Sequence, residues 1–211
     1  MEKKALIVID MQKDFLWRKR KTMFSYNTDI LVKNVNRAIN LYKAEGYDII
    51  YIKHILPKLL WGVGFSIKGT EGAELCERVN VVSDYIFEKN RANAFTSRPF
   101  REFMKKQGYG EIVLCGIDEC ACVRATAKGA VNTKIKVRML TDCIGCRFSH
   151  DKITKIRNEL KELGVEYIEA YSQLTESVDD ALDVADTKAS EIKERYTHNE
   201  MFSKLREVAN E

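Results

Sequence analysis

Six short runs of apolar, largely β-branched residues punctuate the chain, at 5–10, 48–53, 84–87, 111–115, 135–140 and 165–168. None alternates cleanly between apolar and polar, which is the pattern of strands buried on both faces in a parallel sheet. Between them the apolar positions shift to a helical period. Leu31, Val35, Ala38 and Tyr42 fall on one face, and so do Ile153, Ile156, Leu160 and Leu163. Strand and helix alternate, which predicts an α/β fold: a three-layer α/β/α sandwich with a central, mostly parallel six-stranded sheet and right-handed crossovers. Residues 1–175 are expected to form this domain. From Val165 to Glu211 there is no Gly or Pro, and Val178, Leu182, Ala185, Ala189, Ile192 and Tyr196 recur at helical spacing. Residues 176–211 therefore read as a helical extension packing on the domain or on another subunit of a homo-oligomer, a dimer or tetramer.

Composition narrows the class. With 45% hydrophobic and 31% charged residues, burial can offset chain entropy and a globular domain is expected. The net charge of +4 comes from 35 basic and 31 acidic residues mixed along the chain, unlike a dedicated nucleic-acid binder. The longest apolar runs, such as 5–9, are far below the roughly 20 residues that cross a bilayer, and the start of the chain lacks the apolar stretch of a signal peptide. The expectation is a cytoplasmic protein without a membrane or nucleic-acid partner. Six cysteines in such a chain argue for thiols, metal ligation or catalysis before structural disulfides.

In a parallel α/β sheet the loops leaving the C-terminal strand ends gather the active site. Polar residues cluster there: Asp10 after the first strand, Lys53 and His54 after the second, Lys89 after the third, and the turn 118–122 after the fourth. The fifth run leads into TDCIGC, residues 141–146, bringing two more cysteines toward that edge. If a helix starts near Cys120, Cys122 lies in its first turn, where amides and the helix dipole favour a thiolate and lower its pKa. The same amides suit an oxyanion. Taken singly each residue has a plainer reading: a small buried cysteine, a helix cap at Asp10, a solvated lysine at 89. Together they make a usable set, with a carboxylate to take the thiol proton, an ammonium to hold the carboxylate, and a sulfur to attack.

The stretches IDMQKDF (9–15), KNRANAF (89–95) and GIDECACVRATAKGA (116–130) resemble, in order and spacing, the three successive signatures of the isochorismatase-like cysteine hydrolases, a family with a Rossmann-like fold that includes nicotinamidases and N-carbamoylsarcosine amidases. The resemblance spans residues 5 to about 170. It implies a catalytic triad of Asp10, Lys89 and Cys122, the cysteine being set by the C-V-x-x-T pattern at 122–126. It further implies a cis peptide between Ile117 and Asp118 and an oxyanion hole from the amides of Asp118 and Cys122. The implied reaction is hydrolysis of a C–N amide-type bond in a small molecule, through a thioester on Cys122 and without a cofactor. Members that cleave a vinyl ether lack the cysteine, so Cys122 favours an amide.

Departures from the family pattern bear on substrate. Nicotinamidases hold a metal with an Asp and several His after the second strand, whereas residues 51–75 here contain His54 and no Asp, and the chain has three histidines in all. The expectation is no metal there. Candidate pocket residues are Phe15, His54, Trp61, Phe65, Phe95 and Glu119, the last giving with Asp118 an acidic rim; core packing is the alternative for the aromatics, and a structural role for His54. The basic run Arg18–Lys21 reads as a solvated loop or an attractor of anionic substrate. The rival function is a non-catalytic binding or regulatory protein whose Cys120, Cys122, Cys143 and Cys146 hold a structural zinc.

Overall fold

The computed structural model describes residues 2–17, 27–60 and 64–170. Six parallel strands form one sheet: β1 (Lys3–Ile9), β2 (Asp48–His54), β3 (Ile86–Lys89), β4 (Tyr109–Ile117), β5 (Lys136–Gly145) and β6 (Glu166–Ile168), in the order β3-β2-β1-β4-β5-β6. Helices cover both faces: α1 (Lys13–Leu16), α2 (Thr28–Ala44), α3 (Arg98–Gln107), α4 (Arg124–Asn132) and α5 (His150–Glu162). The three-layer α/β/α sandwich follows from the sequence pattern. Ala5–Ile9 are wholly buried because β1 lies between β2 and β4 with helices above and below. Among the described residues no helix is long and apolar enough to cross a membrane.

The chain winds outward from β1 to β3, crosses back, and winds outward on the other side from β4 to β6. The strand order thus reverses between β1 and β4, and the crevice beyond their carboxyl ends is the point where open parallel sheets bind ligands. Gly116 allows the two strands to close there. It sits at φ +108°, and a Cβ on it would lie 2.1 Å from the carbonyl oxygen of Ile9, so any side chain would push β4 off β1.

Three expectations about elements need correction. β3 begins two residues later than the apolar run suggests, because Asp84 turns the chain, its carbonyl accepting from Ile86 N; Lys89 is therefore the last residue of the strand. β5 continues through Thr141–Gly145 after a register shift against β4 between Leu114 and Gly116, a bulge that apolar periodicity does not signal. On α5 Ile156 and Leu160 are buried, but Leu163 lies past the helix end and is exposed. The expected extension at 176–211 lies outside the described residues.

Candidate functional site

Three strand ends deliver the candidate triad to one place. Asp10 leaves β1 with φ +54°, and Lys89 ends β3 with its side chain wholly buried. Beyond β4 the Ile117–Asp118 peptide is cis, and residues Glu119–Val123 form a single π-helical turn before α4 begins at Arg124. Such turns occur mostly as single-turn bulges and are frequent at functional sites. Asp118 caps it, its Oδ1 accepting from Cys120 N at 3.0 Å.

The Lys89 Nζ stands 2.8 Å from Asp10 Oδ2, 3.3 Å from Cys122 Sγ and 3.3 Å from His54 Nδ1. An ammonium has three N–H donors, and these three partners use all of them. Because lysine can only donate, His54 Nδ1 is the acceptor and the ring proton sits on Nε2. Burial and the neighbouring ammonium hold His54 below the ordinary imidazole range, so the ring is neutral at pH 7. For Lys89 burial is the largest single influence and works against the charge, but the interactions with Asp10 and Cys122 together outweigh it, and its pKa is raised. Asp10 Oδ1 is buried without a hydrogen-bond partner among the described residues, which leaves a strong acceptor beside the sulfur.

Cys122 reverses an expectation. Burial, reinforced by the Asp10 carboxylate and only partly offset by Lys89, pushes its thiol up to about 12 rather than down. The dipole of the first turn does not prevail, because the sulfur is largely withdrawn from solvent and one of its two nearest charges is negative. At neutral pH the resting sulfur carries its proton and needs a base to become a nucleophile. Alkylation of Cys122 by iodoacetamide should therefore show no inflection near the free-thiol value of about 8.5 and should accelerate continuously toward pH 11. A plateau reached by pH 8, followed by mass spectrometry of the labelled peptide, would contradict this environment.

Asp10, His54 and Cys122 present ligating atoms within 4.8 Å of one another, a spacing that suits a cation. The cation they surround is the Lys89 ammonium, and a divalent metal in the same place would face that charge at contact distance. These residues do not fit a metal centre of the nicotinamidase kind. The four-cysteine zinc site is also not assembled: Cys122 faces Asp10 and His54, whereas Cys120 and Cys146 group with Asp118, and Cys143 is wholly buried on β5 and belongs to neither group.

The remaining candidates separate. Phe15 and Phe65 are half-buried and meet with ring centroids 6.2 Å apart. Phe95 is a core residue packed edge-on against Phe100 at 5.1 Å. Trp61 and the run 18–21 lie outside the described residues. Glu119 does not make an acidic rim: its side chain is 2% exposed and is gripped by Arg157 from α5, at 2.6 and 2.9 Å. Asp118 is turned inward as well, its Oδ2 accepting from Arg147 N at 3.1 Å.

Several supporting residues escaped the sequence reading. Gln12, wholly buried, accepts from His54 N at 2.7 Å and donates to the carbonyls of His54 and Ala73 at 2.9 and 2.8 Å, fixing the end of β2 against the loop that follows. Asp14 accepts from Ser66 N at 2.8 Å. Thr126, one turn into α4, accepts from Ala94 N at 3.1 Å and ties that helix to the loop carrying KNRANAF. A buried amide or carboxylate two or four residues from a candidate acid, as at Gln12 and Asp14, is the available signal, since such a group is costly unless fully bonded.

Residues 4–188 match the family model of the isochorismatase domain. The chain is 30% identical over 179 residues to a protein of Arabidopsis thaliana described as a probable inactive nicotinamidase, covering 76% of this chain and 89% of that one. Among solved structures it superposes on an isochorismatase family protein of Desulfovibrio vulgaris with a TM-score of 0.73 at 21% identity, covering 87% of this chain and 100% of the other. It also superposes on N-carbamoylsarcosine amidase of Thermoplasma acidophilum, with a TM-score of 0.67 at 22% identity, covering 80% and 96%.

Proposed function

Since the chain belongs to the isochorismatase family, we propose that it is a hydrolase of C–N amide-type bonds in small molecules, working through a thioester on Cys122. The observation that carries this reading is the Lys89 ammonium shared between the Asp10 carboxylate at 2.8 Å and the Cys122 sulfur at 3.3 Å, at the crevice between β1 and β4. The raised thiol pKa supports a base-assisted attack over a standing thiolate.

In this mechanism Asp10 takes the Cys122 proton as the sulfur attacks the carbonyl, and the amides of Asp118 and Cys122 receive the developing oxyanion. Asp10 then passes the proton to the departing nitrogen, which leaves as ammonia or an amine. Water, deprotonated by the same carboxylate, opens the thioester and restores the thiol. Lys89 holds Asp10 in place and offsets negative charge as the sulfur ionises. The Nε2–H of neutral His54 is a donor for a substrate acceptor. Phe15 and Phe65 supply apolar surface near this end of β1. The Arabidopsis relative is described as inactive; this chain carries Asp10, Lys89 and Cys122 in contact, which supports a working site. A cytoplasmic homo-oligomer acting on a soluble substrate, with neither nucleic acid nor membrane as partner, completes the proposal.

Ammonia release from a panel of small amides, ureides and carbamoyl compounds tests the function directly. Turnover of one class, with a burst of acyl-enzyme on Cys122 in rapid-quench mass spectrometry, is the expected result. A panel with no turnover, although the compounds bind, would replace the enzyme with a binding protein on the same scaffold. Within this reading Glu119 is structural. Glu119→Gln should lower stability by about 1–2 kcal/mol by loosening Arg157 while leaving kcat/KM within about fivefold; urea unfolding and steady-state kinetics on the same preparation check both halves.

A further inference from the structure

The catalytic turn and the end of β5 bring together two sulfurs that the mechanism does not use. Cys120, buried in the π-helical turn two residues before Cys122, has its Sγ 3.4 Å from that of Cys146, which is half-buried just past the end of β5. Both are thiols. We propose that Cys120 and Cys146 are an oxidation site: a hydroperoxide converts them to a disulfide that cross-links the catalytic turn to the end of β5.

The contact distance is the first support. Two sulfurs at 3.4 Å touch, and closing to a bond of about 2.05 Å takes a relative movement of little more than an ångström. Access is the second. Cys146 is the more exposed of the two, so a small oxidant reaches it first and Cys120 stands directly behind it to resolve the product. The step balances. Cys146 attacks the peroxide oxygen and becomes a sulfenic acid with release of water or an alcohol; the Cys120 sulfur then attacks the Cys146 sulfur, and the Cys120 proton leaves with the hydroxyl as water. Two thiols are oxidised and one peroxide is reduced.

A metal site made from the same atoms fits less well. Asp118 Oδ1 is 3.4 Å from the Cys146 sulfur, and the three groups lie within ligating distance. Yet both carboxylate oxygens of Asp118 already serve backbone donors, Oδ1 the amide of Cys120 at 3.0 Å and Oδ2 the amide of Arg147 at 3.1 Å. The guanidinium of Arg147, 3.6 Å from Oδ2, adds positive charge beside that place. Burial and Asp118 hold both thiols protonated, so the oxidation is slow at neutral pH and faster in alkali.

The functional consequence rests on the proposed hydrolase activity. Pulling Cys120 toward β5 rotates the turn that presents Cys122, and a displacement of about 1 Å at a reacting atom costs on the order of a hundredfold in rate. Oxidation should therefore lower kcat/KM at least tenfold, reversibly with dithiothreitol.

The experiment treats the full chain with hydrogen peroxide, blocks remaining thiols with iodoacetamide, and reads intact mass and non-reducing peptide maps. The wild type and the Cys122→Ser and Cys143→Ser variants should each lose two hydrogens and yield a 120–146 linkage. Cys120→Ser and Cys146→Ser should not, and Cys146→Ser should keep its activity through the treatment. A disulfide involving Cys122, irreversible oxidation of Cys122 without the linkage, or one equivalent of zinc that depends on Cys120 and Cys146 and protects both thiols would each overturn the proposal. The mass readout in Cys122→Ser does not use turnover, so a failed hydrolase assignment and a failed oxidation site give different results.

Discussion

Replacing Cys122 with alanine should lower amide turnover by a factor of about 10⁴ or more, to the residual level that binding and oxyanion donors alone sustain. The sulfur is the group that forms the covalent bond in the proposed cycle, and it is the one thiol among the three side chains that share the Lys89 donors, the others being Asp10 and His54. Stability should change by no more than about 1 kcal/mol, because alanine removes a thiol while Lys89 keeps its carboxylate and imidazole partners. Cys120→Ala provides the contrast. Its sulfur points toward Cys146, so most of the turnover should persist. Ammonia release by the two variants, measured beside their urea unfolding curves, separates chemistry from folding. Equal losses in both would mean that the turn, and not the sulfur at 122, is what activity needs.

The parts of this site that the chain announces are those fixed by local chemistry. Apolar runs give the strands because β1 and β4 are buried on both faces, and Asp10 and Lys89 stand out because a charge at the end of a buried strand needs a partner. That they are each other's partner follows from strand order, β3-β2-β1-β4, which periodicity does not encode. The direction of the Cys122 pKa is hidden from the sequence for the same reason. A helix start is visible in sequence, but the depth of the crevice and the carboxylate facing the sulfur are products of tertiary packing. Glu119 shows the converse error. A glutamate in a catalytic motif reads as a rim residue until Arg157, 38 positions away, is brought against it by α5. The β5 bulge that carries Cys146 to Cys120 has no composition signal at all.

Asp10→Asn and Lys89→Met should each destabilise the fold by about 3–5 kcal/mol at pH 7, more than other single changes at the site, and each should abolish turnover. The side chains of Lys89 and Asp10 are 0% and 3% exposed, so removing either partner strands a charge that water cannot reach. The Asn variant keeps an oxygen for Lys89 to bond but loses the charge that offsets its burial. The double variant Asp10→Asn/Lys89→Met removes both charges, and its loss should fall short of the sum of the singles by about 2 kcal/mol or more. The pH range matters. The Lys89 pKa is raised by folding, so the contribution of its charge is complete below the unfolded value of 10.5 and is lost as pH climbs through the higher folded value. Unfolding measured between pH 6 and 9 therefore sees the full effect, while the wild type should weaken in stronger alkali, helped by the Cys122 thiol, which ionises in the unfolded chain near 9.0 but in the fold only near 12. Additive losses in the double variant would mean that the two charges do not depend on each other, and the proton relay between Cys122 and Asp10 would lose its electrostatic basis.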